Sequence, residues 1–578
     1  MAQLVSAGVS VTVTDESFFI PVSAATVPLF FIATQDEKYQ PGDASPPLRA
    51  EGTFENNIIR TVTSLKQSIE LYSTPVFLED TSGAAHHGDA RNEYGLFALN
   101  QYLGIGNKAY VIRADVNLND DITAQRTSWD TKIEESRIIL EALINDAINV
   151  KKAAAAAGSP VVNPDTITTI TAVELQGLAV TATADIWDSF SFSSLETQFF
   201  GDNIPALDVY AGGYDLAPTS TYTGFDSLTL GSPAEYTAVT GGSLLVTSAD
   251  QLKFTVEFLS ATSLGANDAD RRTNITTALA AVVAGNQDIR AEAFDYNLIL
   301  CPGYWELTDE MFGLVVDMKE EAMIIADTPM NMRVGEITNP STGWANDTGR
   351  TRTNHIAYYY PSALATNLDG KVVACAASGV ALRTITFSDN VSFLWFAPAG
   401  LRRGLISGIS NLGYVSGVLG GPTSFIELAL NNGDRDALYA YATSGGSDIN
   451  PLVFFPGQGF VVWGQKTSAV AASAVDRINV ERLMLYIRRQ LRKNTMSFVF
   501  QPNDTLTRDN LKAVVDNFLG DLIVKRGLYD FVTVCDESNN TPDRIDRNEM
   551  YVDIAVKPVK AAEFIYIPIR IVATGAEI

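Results

Sequence analysis

At 578 residues the chain has room for about three or four domains of roughly 150 residues each. Its hydrophobic fraction of 46% and charged fraction of 19% are ordinary for a globular chain with several buried cores. A formal net charge of −26 argues against nucleic acid as the main partner, because phosphate binding needs a cationic face. No apolar run is long enough to span a bilayer, and the opening MAQLVSAGVS has neither a basic n-region nor an apolar h-region, so membrane insertion and a secretory signal are not expected. Cys301, Cys375 and Cys535 sit in apolar contexts without paired spacing and read as inert buried thiols.

Taken in order, residues 3–20 open with Val9, Val11 and Val13 alternating with Ser10, Thr12 and Thr14, a period-two strand pattern. No hairpin partner follows, since Pro21 and the buried-type strand VPLFFIAT (27–34) come next. A strand at a free terminus must pair in its own sheet or in another molecule's. A Pro/Gly-rich loop leads to a helix over 61–72, and residues 90–116 give a helix to Leu103, a glycine turn and a strand over 109–116. Residues 131–158 read as one long helix closed by Gly158. From Ser159 to about Asp270 the composition turns to Thr, Ser and Gly with short alternating runs, so 117–290 is expected to be an inserted β-rich domain. YNLILCPG (296–303), EAMIIADTP (321–329) and HIAYYYPSA (355–363) are apolar runs at β–helix–β spacing. They predict a mostly parallel, doubly covered sheet shared with 27–34 and 109–114.

The last hundred residues are the most regular. In 478–493, Val480, Leu483, Met484, Ile487 and Leu491 form one apolar helical stripe, with Arg482, Arg489 and Lys493 on the opposite face. Six basic residues (Arg477, Arg482, Arg488, Arg489, Arg492, Lys493) against Asp476 and Glu481 make this segment +4. It reads as a solvated face or as a basic rail for an acidic partner. FVFQPND (498–504) reads as a short strand. A second helix over 508–525 carries Leu511, Val514, Val515, Phe518, Leu519, Leu522 and Ile523, with Gly527 as its C′ glycine. FVTVCDE, MYVDIAVKP and EFIYIPIRIVATG follow as strands, the last interrupted by Pro568 in the manner of an edge or a bend.

Five phrases then occur in order: INPLVFFPGQGFVVWGQKT (449–467), INVERLMLYI (478–487), FVFQPND (498–504), VCDESNNTPDRID (534–546) and VDIAVKPVKAAEFI (552–565). Together they resemble the C-terminal domain of contractile phage tail sheath proteins, firmly over roughly the last 130 residues, with fainter echoes at 90–116 and 396–410. The resemblance implies α/β and α+β domains in a sheath core with an inserted β-rich outer domain. It divides the chain into an N-terminal arm (1–20), an α/β domain (21–116 plus 291–370), the insertion (117–290), a C-terminal core domain (371–565) and a C-terminal arm (566–578).

The resemblance further implies a subunit of stacked, hexameric rings, with a tail tube protein, baseplate and terminator proteins as partners and the virion tail as location. Such a sheath polymerises around the tube and contracts to drive it through the host envelope, without a cofactor or an enzymatic step. Its arms would link neighbouring subunits by strand addition, carried here by Val9, Val11 and Val13 and by Ile567, Ile569 and Ile571. The basic residues Arg482, Arg489 and Lys493 would face the tube. A genome-free contractile particle fits equally well, and the alternative from another class is a glycan- or envelope-processing enzyme.

Chemistry elsewhere is thin. His86, His87 and Asp89 lie in one Gly-rich loop, yet adjacent histidines diverge and the third histidine, His355, is remote, so a polar loop is preferred to a metal site. GISNLG (408–413) is out of register for a nucleophile elbow. GIGN (104–107) leads from helix into strand, the reverse of a phosphate loop. No Walker-type GxxxxGK[ST] run occurs.

Overall fold

The computed structural model describes residues 26–119, 268–564 and 566, less short loop stretches, with isolated pieces between 120 and 267. The chain enters as β1 (Pro28–Thr34), β2 (Ile59–Val62), helices α1 (Leu65–Tyr72) and α2 (Tyr94–Leu103), and β3 (Ala109–Asn117). After the isolated pieces come α3 (Asp268–Gly285), β4 (Leu298–Leu300), α4 (Thr308–Asp317), β5 (Met323–Asp327) and β6 (Ile356–Tyr360). Then follow β7 (Ser362–Thr366), β8 (Val372–Cys375), α5 (Ala377–Val391), β9 (Asn411–Ser416), β10 (Ser424–Glu427), α6 (Asn432–Tyr439), β11 (Ile449–Phe455) and β12 (Gly459–Val462). The chain finishes with α7 (Ile478–Thr495), α8 (Thr505–Val524), β13 (Leu528–Val534) and β14 (Asp553–Pro558).

β1 is buried along its whole length, so both faces of its sheet must be covered. Leu29, Phe31 and Ala33 enter one core with Ile275, Leu279, Val282 and Val283 of α3 and Met311, Leu314 and Val315 of α4. Phe30 and Ile32 enter the other with Leu96, Phe97 and Leu99 of α2 and Val380, Ala381 and Ile385 of α5. α2 and α5 approach closely because Gly379 has no side chain; a Cβ there would stand 2.8 Å from the Ala98 Cβ. The eight-stranded sheet has the order β12-β11-β6-β5-β4-β1-β3-β2. Its six inner strands pair in parallel, and β2 and β12 close the edges antiparallel. This is the doubly covered α/β arrangement expected from the apolar runs. A four-stranded sheet, β8-β7-β9-β10, packs beside it.

The structure moves two of the expected domain edges. α3 lies in the core of the eight-stranded sheet, so the body of the α/β domain resumes near residue 268 and not at 291. β11 hydrogen-bonds onto β6 and β12 onto β11, so the segment 449–462, expected in the C-terminal domain, completes this sheet instead. Within the expected insertion the described strands form two short antiparallel pairs, Ile170–Thr171 with Leu245–Val246 and Ala206–Val209 with Leu252–Thr255. Residues 151–157 are helical.

α7 and α8 pack with β13 and β14 around Leu483, Ile487, Leu511, Val515, Phe518, Leu519 and Leu522. Each such side chain, fully buried, contributes about 1.5–3 kcal/mol. The strand expected at 498–504 is absent: Met496–Phe498 is a 3-10 turn, and Asp504 caps α8 by accepting from Thr507 N. At the other end of α8 the left-handed residue is Arg526 (φ 61), one position before the glycine expected there.

Candidate assembly surface

β13 and β14 form a sheet of two strands only, with Asp530↔Lys557, Phe531↔Val556, Val532↔Ala555, Thr533↔Ile554 and Val534↔Asp553 opposite one another. One face rests on α7 and α8 through Leu528, Phe531, Ile554 and Val556. The other presents Tyr529 and Val532, 67% and 58% exposed. Among the described residues neither strand has a second neighbour, so both carry a row of unpaired backbone donors and acceptors. Ion pairing across the hairpin is confined to the exposed Lys557–Asp530 contact at 3.6 Å. A two-stranded hairpin is marginal alone, and this one depends on the helices beneath it.

Both chain ends are fastened where they leave the body. Val9, Val11, Val13, Ile567, Ile569 and Ile571, the expected pairing residues, lie outside the described residues. At the N-terminal side, Tyr102 Oη donates to Thr26 O at 2.8 Å, and the Thr26 hydroxyl donates to Asp389. At the C-terminal side, Val559 N donates to Gly527 O at 3.0 Å, and the Glu563 carboxylate accepts from Gln465 Nε2 at 2.9 Å and Arg477 Nε at 2.7 Å.

The basic face of α7 is not free. Arg482 is 4% exposed and its Nη1 donates to Asp389 Oδ1 at 2.9 Å. Arg489 is also buried and pairs with Asp295, which accepts from Lys493 Nζ at 2.5 Å as well. Arg492 reaches Glu321 at 2.7 Å and Arg488 reaches Glu320 at 3.1 Å. The expectation that Arg482, Arg489 and Lys493 face a tube is therefore corrected: they close a charged seam between α7 and acids of the α/β domain. α7 has two buried faces because it lies between two cores. Ile478 and Leu485 enter the sheet core, while Leu483 and Ile487 enter the C-terminal one. Burial raises the Asp295 pKa, but Arg489 and Lys493 outweigh it and leave the carboxyl below its ordinary value. At Glu321 burial wins over Arg492 and Arg489, and the pKa is raised.

The carboxyl ends of the parallel strands, where doubly wound sheets take ligands, are filled by the chain's own polar groups. Lys38 pairs with the fully buried Glu93 at 2.6 Å, and Arg113 pairs with Asp36. Asp327 accepts from Gly303 N, Ser378 N and Ser378 Oγ at 2.9, 2.6 and 2.7 Å, and burial raises its pKa. In the histidine loop, His87 Nδ1 accepts from Ala374 N at 3.2 Å and Asp89 is bound by Arg91. Among the described residues no group of three or more His, Cys, Asp or Glu could hold a metal ion, and no helix is long and apolar enough to cross a membrane. Asp389, Asp295 and Glu563 were invisible in the sequence as functional candidates, because each is a single acid whose partner lies far along the chain.

Residues 471–572 match the family model described as phage tail sheath C-terminal domain. The tail sheath protein of Vibrio phage KVP40 is 38% identical over 191 residues, covering 33% of this chain and 26% of that one. The tail sheath protein of Enterobacteria phage T4 is 31% identical over 205 residues, covering 36% of this chain and 28% of that one. The matched part thus spans little more than a quarter of either relative. The helical sheath of the anti-feeding prophage, solved in the contracted state, aligns over 98% of this chain and 99% of its own at 14% identity and a TM-score of 0.46, a likeness too distant to carry weight. Residues 471–572 are thus similar to the C-terminal domain of phage tail sheath proteins.

Proposed function

We propose that this chain is a structural subunit of a contractile tail sheath, which polymerises around a tube and shortens to drive it through a host envelope. The observation that carries the reading is the two-stranded sheet β13–β14, open on both edges among the described residues, in a body whose two chain ends leave from anchored roots. Strand addition would complete this sheet. The N-terminal segment with Val9, Val11 and Val13, and the C-terminal one with Ile567, Ile569 and Ile571, would pair along edges of neighbouring copies. Main-chain hydrogen bonds then supply affinity and alternate side chains supply register. Such links let subunit bodies rotate and separate during shortening while the polymer stays connected, with the energy drawn from a metastable packing. Stacked hexameric rings, a tail tube, baseplate and terminator proteins as partners, and a virion location all follow from the same reading, as does the absence of a chemical step.

The test is assembly. Negative-stain images of the purified chain should show tubes or rings, and removal of residues 1–16 should give folded monomers instead. Val11→Pro should act in the same direction by deleting one ladder N–H. A small defined oligomer from the intact chain, or an unfolded product from the truncation, overturns the reading.

A further inference from the structure

A cavity of about 430 Å³ opens between α2 and α5, with the turn after β7 and the loop before β9 at its rim. α5 touches α2 at Gly379, against Ala98, and Arg383 lies one turn further along the same face of α5. Among the described residues Arg383 is the one charged side chain lining the cavity, so no carboxylate faces it there. Two N–H donors of the wall, Arg383 Nε and Asn100 Nδ2, are buried without an acceptor. Asn100 is 7% exposed, and its Oδ1 already accepts from Ser68 Oγ at 2.6 Å, so the amide N–H groups are what it has left to offer. Burial lowers the Arg383 pKa, unopposed by any acid among the described residues. The loop before β9 comes close to the guanidinium because residue 408 is glycine: its φ is +79, and a Cβ there would stand 2.3 Å from Arg383 Nη1.

Buried donors left unmade are costly, so the wall suits an anion with accepting oxygens. Charge narrows the choice. A single guanidinium matches a single negative charge, and its planar edge fits a carboxylate through two parallel N–H···O bonds. Phosphate carries more than one charge near neutral pH, and no second cation among the described residues lines the cavity to meet it. The volume falls at the small end of the range for organic ligands, enough for an apolar body besides the carboxylate. Phe97 and Ile409 offer such a body an apolar wall, with the half-exposed Leu368 at the mouth.

We propose that this cavity is a binding site for a small organic monocarboxylate. The Arg383 guanidinium and the Asn100 amide donate to its oxygens, and its apolar body lies against Phe97, Leu368 and Ile409. A filled site joins α2 to α5 through the ligand as well as through the Gly379 contact. The site does not depend on the sheath reading, so tube formation in the same samples is a separate result.

The test is calorimetric titration of the full chain with sodium benzoate, at an ionic strength held constant with sodium chloride. Benzoate should bind saturably at one site per chain, and acetate about tenfold more weakly for lack of an apolar body. Arg383→Gln should weaken benzoate binding by about tenfold or more. Arg383→Lys should weaken it less, because lysine keeps the charge and loses the planar fork. Should Arg383→Gln fail to fold, as read by circular dichroism, Leu368→Asp is the substitute. Leu368 is 49% exposed, and a carboxylate at the mouth should repel the ligand. The proposal is overturned if benzoate shows no saturable binding at millimolar concentration, or if phosphate binds more tightly than benzoate. It is equally overturned if the folded variant binds benzoate as the wild type does.

Discussion

Asp389 ties three segments together at the scale of single residues, since it binds Arg482 of α7 and Thr26 at the chain's entry while lying on α5. Both Asp389 and Arg482 are nearly fully buried, so Asp389→Asn leaves a guanidinium without its counter-charge. The expected loss is about 3–5 kcal/mol, read as a fall in the urea midpoint. Asp295 is more exposed, and Asp295→Asn should cost about 1 kcal/mol at neutral pH. Its folded pKa is depressed, so its contribution is present above the unfolded carboxylate pKa and is lost as pH falls through the folded one. The stabilities of wild type and Asp295→Asn should therefore begin to approach each other below about pH 4 and meet only below the folded pKa. Helical spacing correctly set Arg482, Arg489 and Lys493 opposite the apolar stripe. It could not tell that acids at 389 and 295 would meet them, because ion pairs between distant segments leave no mark on local periodicity.

Among the elements, α7, α8, β13 and β14 were legible from their periods, since each has one face on a core. The segment 498–504 was not. Its apolar run Phe498, Val499 and Phe500 suggests a strand, but Pro502 lacks a ladder donor and Phe500 adopts φ 70 with its side chain fully exposed. Whether a short apolar run becomes a strand depends on a neighbour to pair with, and here none is offered among the described residues. The same dependence, turned around, makes the hairpin informative. Backbone amides on the outer edges of β13 and β14 should exchange quickly in the monomer and become protected in the polymer. Equal exchange in both states would mean that assembly leaves these edges bare.

For the molecule as a whole, the position of α3 changes what can be removed. Excising 120–263 with a short linker should leave a folded, polymerising protein. Excising 120–286 also takes Ile275, Leu279, Val282 and Val283 from the sheet core and should unfold it, as circular dichroism and gel filtration would report. The composition of 159–270 marked out a separate module, but the weak amphipathicity of 268–285, rich in Ala and Thr, concealed a core helix beyond it. By itself the sequence determined that β1 and β3–β6 are strands buried on both faces, that helices alternate with them, and that the last hundred residues carry the sheath pattern. These follow from local apolar period and length, which act over a few residues. The tertiary structure alone decided that β11 and β12 join the large sheet, that the basic face of α7 is spent on ion pairs within the molecule, and that β13–β14 keeps two open edges among the described residues. Each of those depends on which distant surfaces meet, and no local period encodes that.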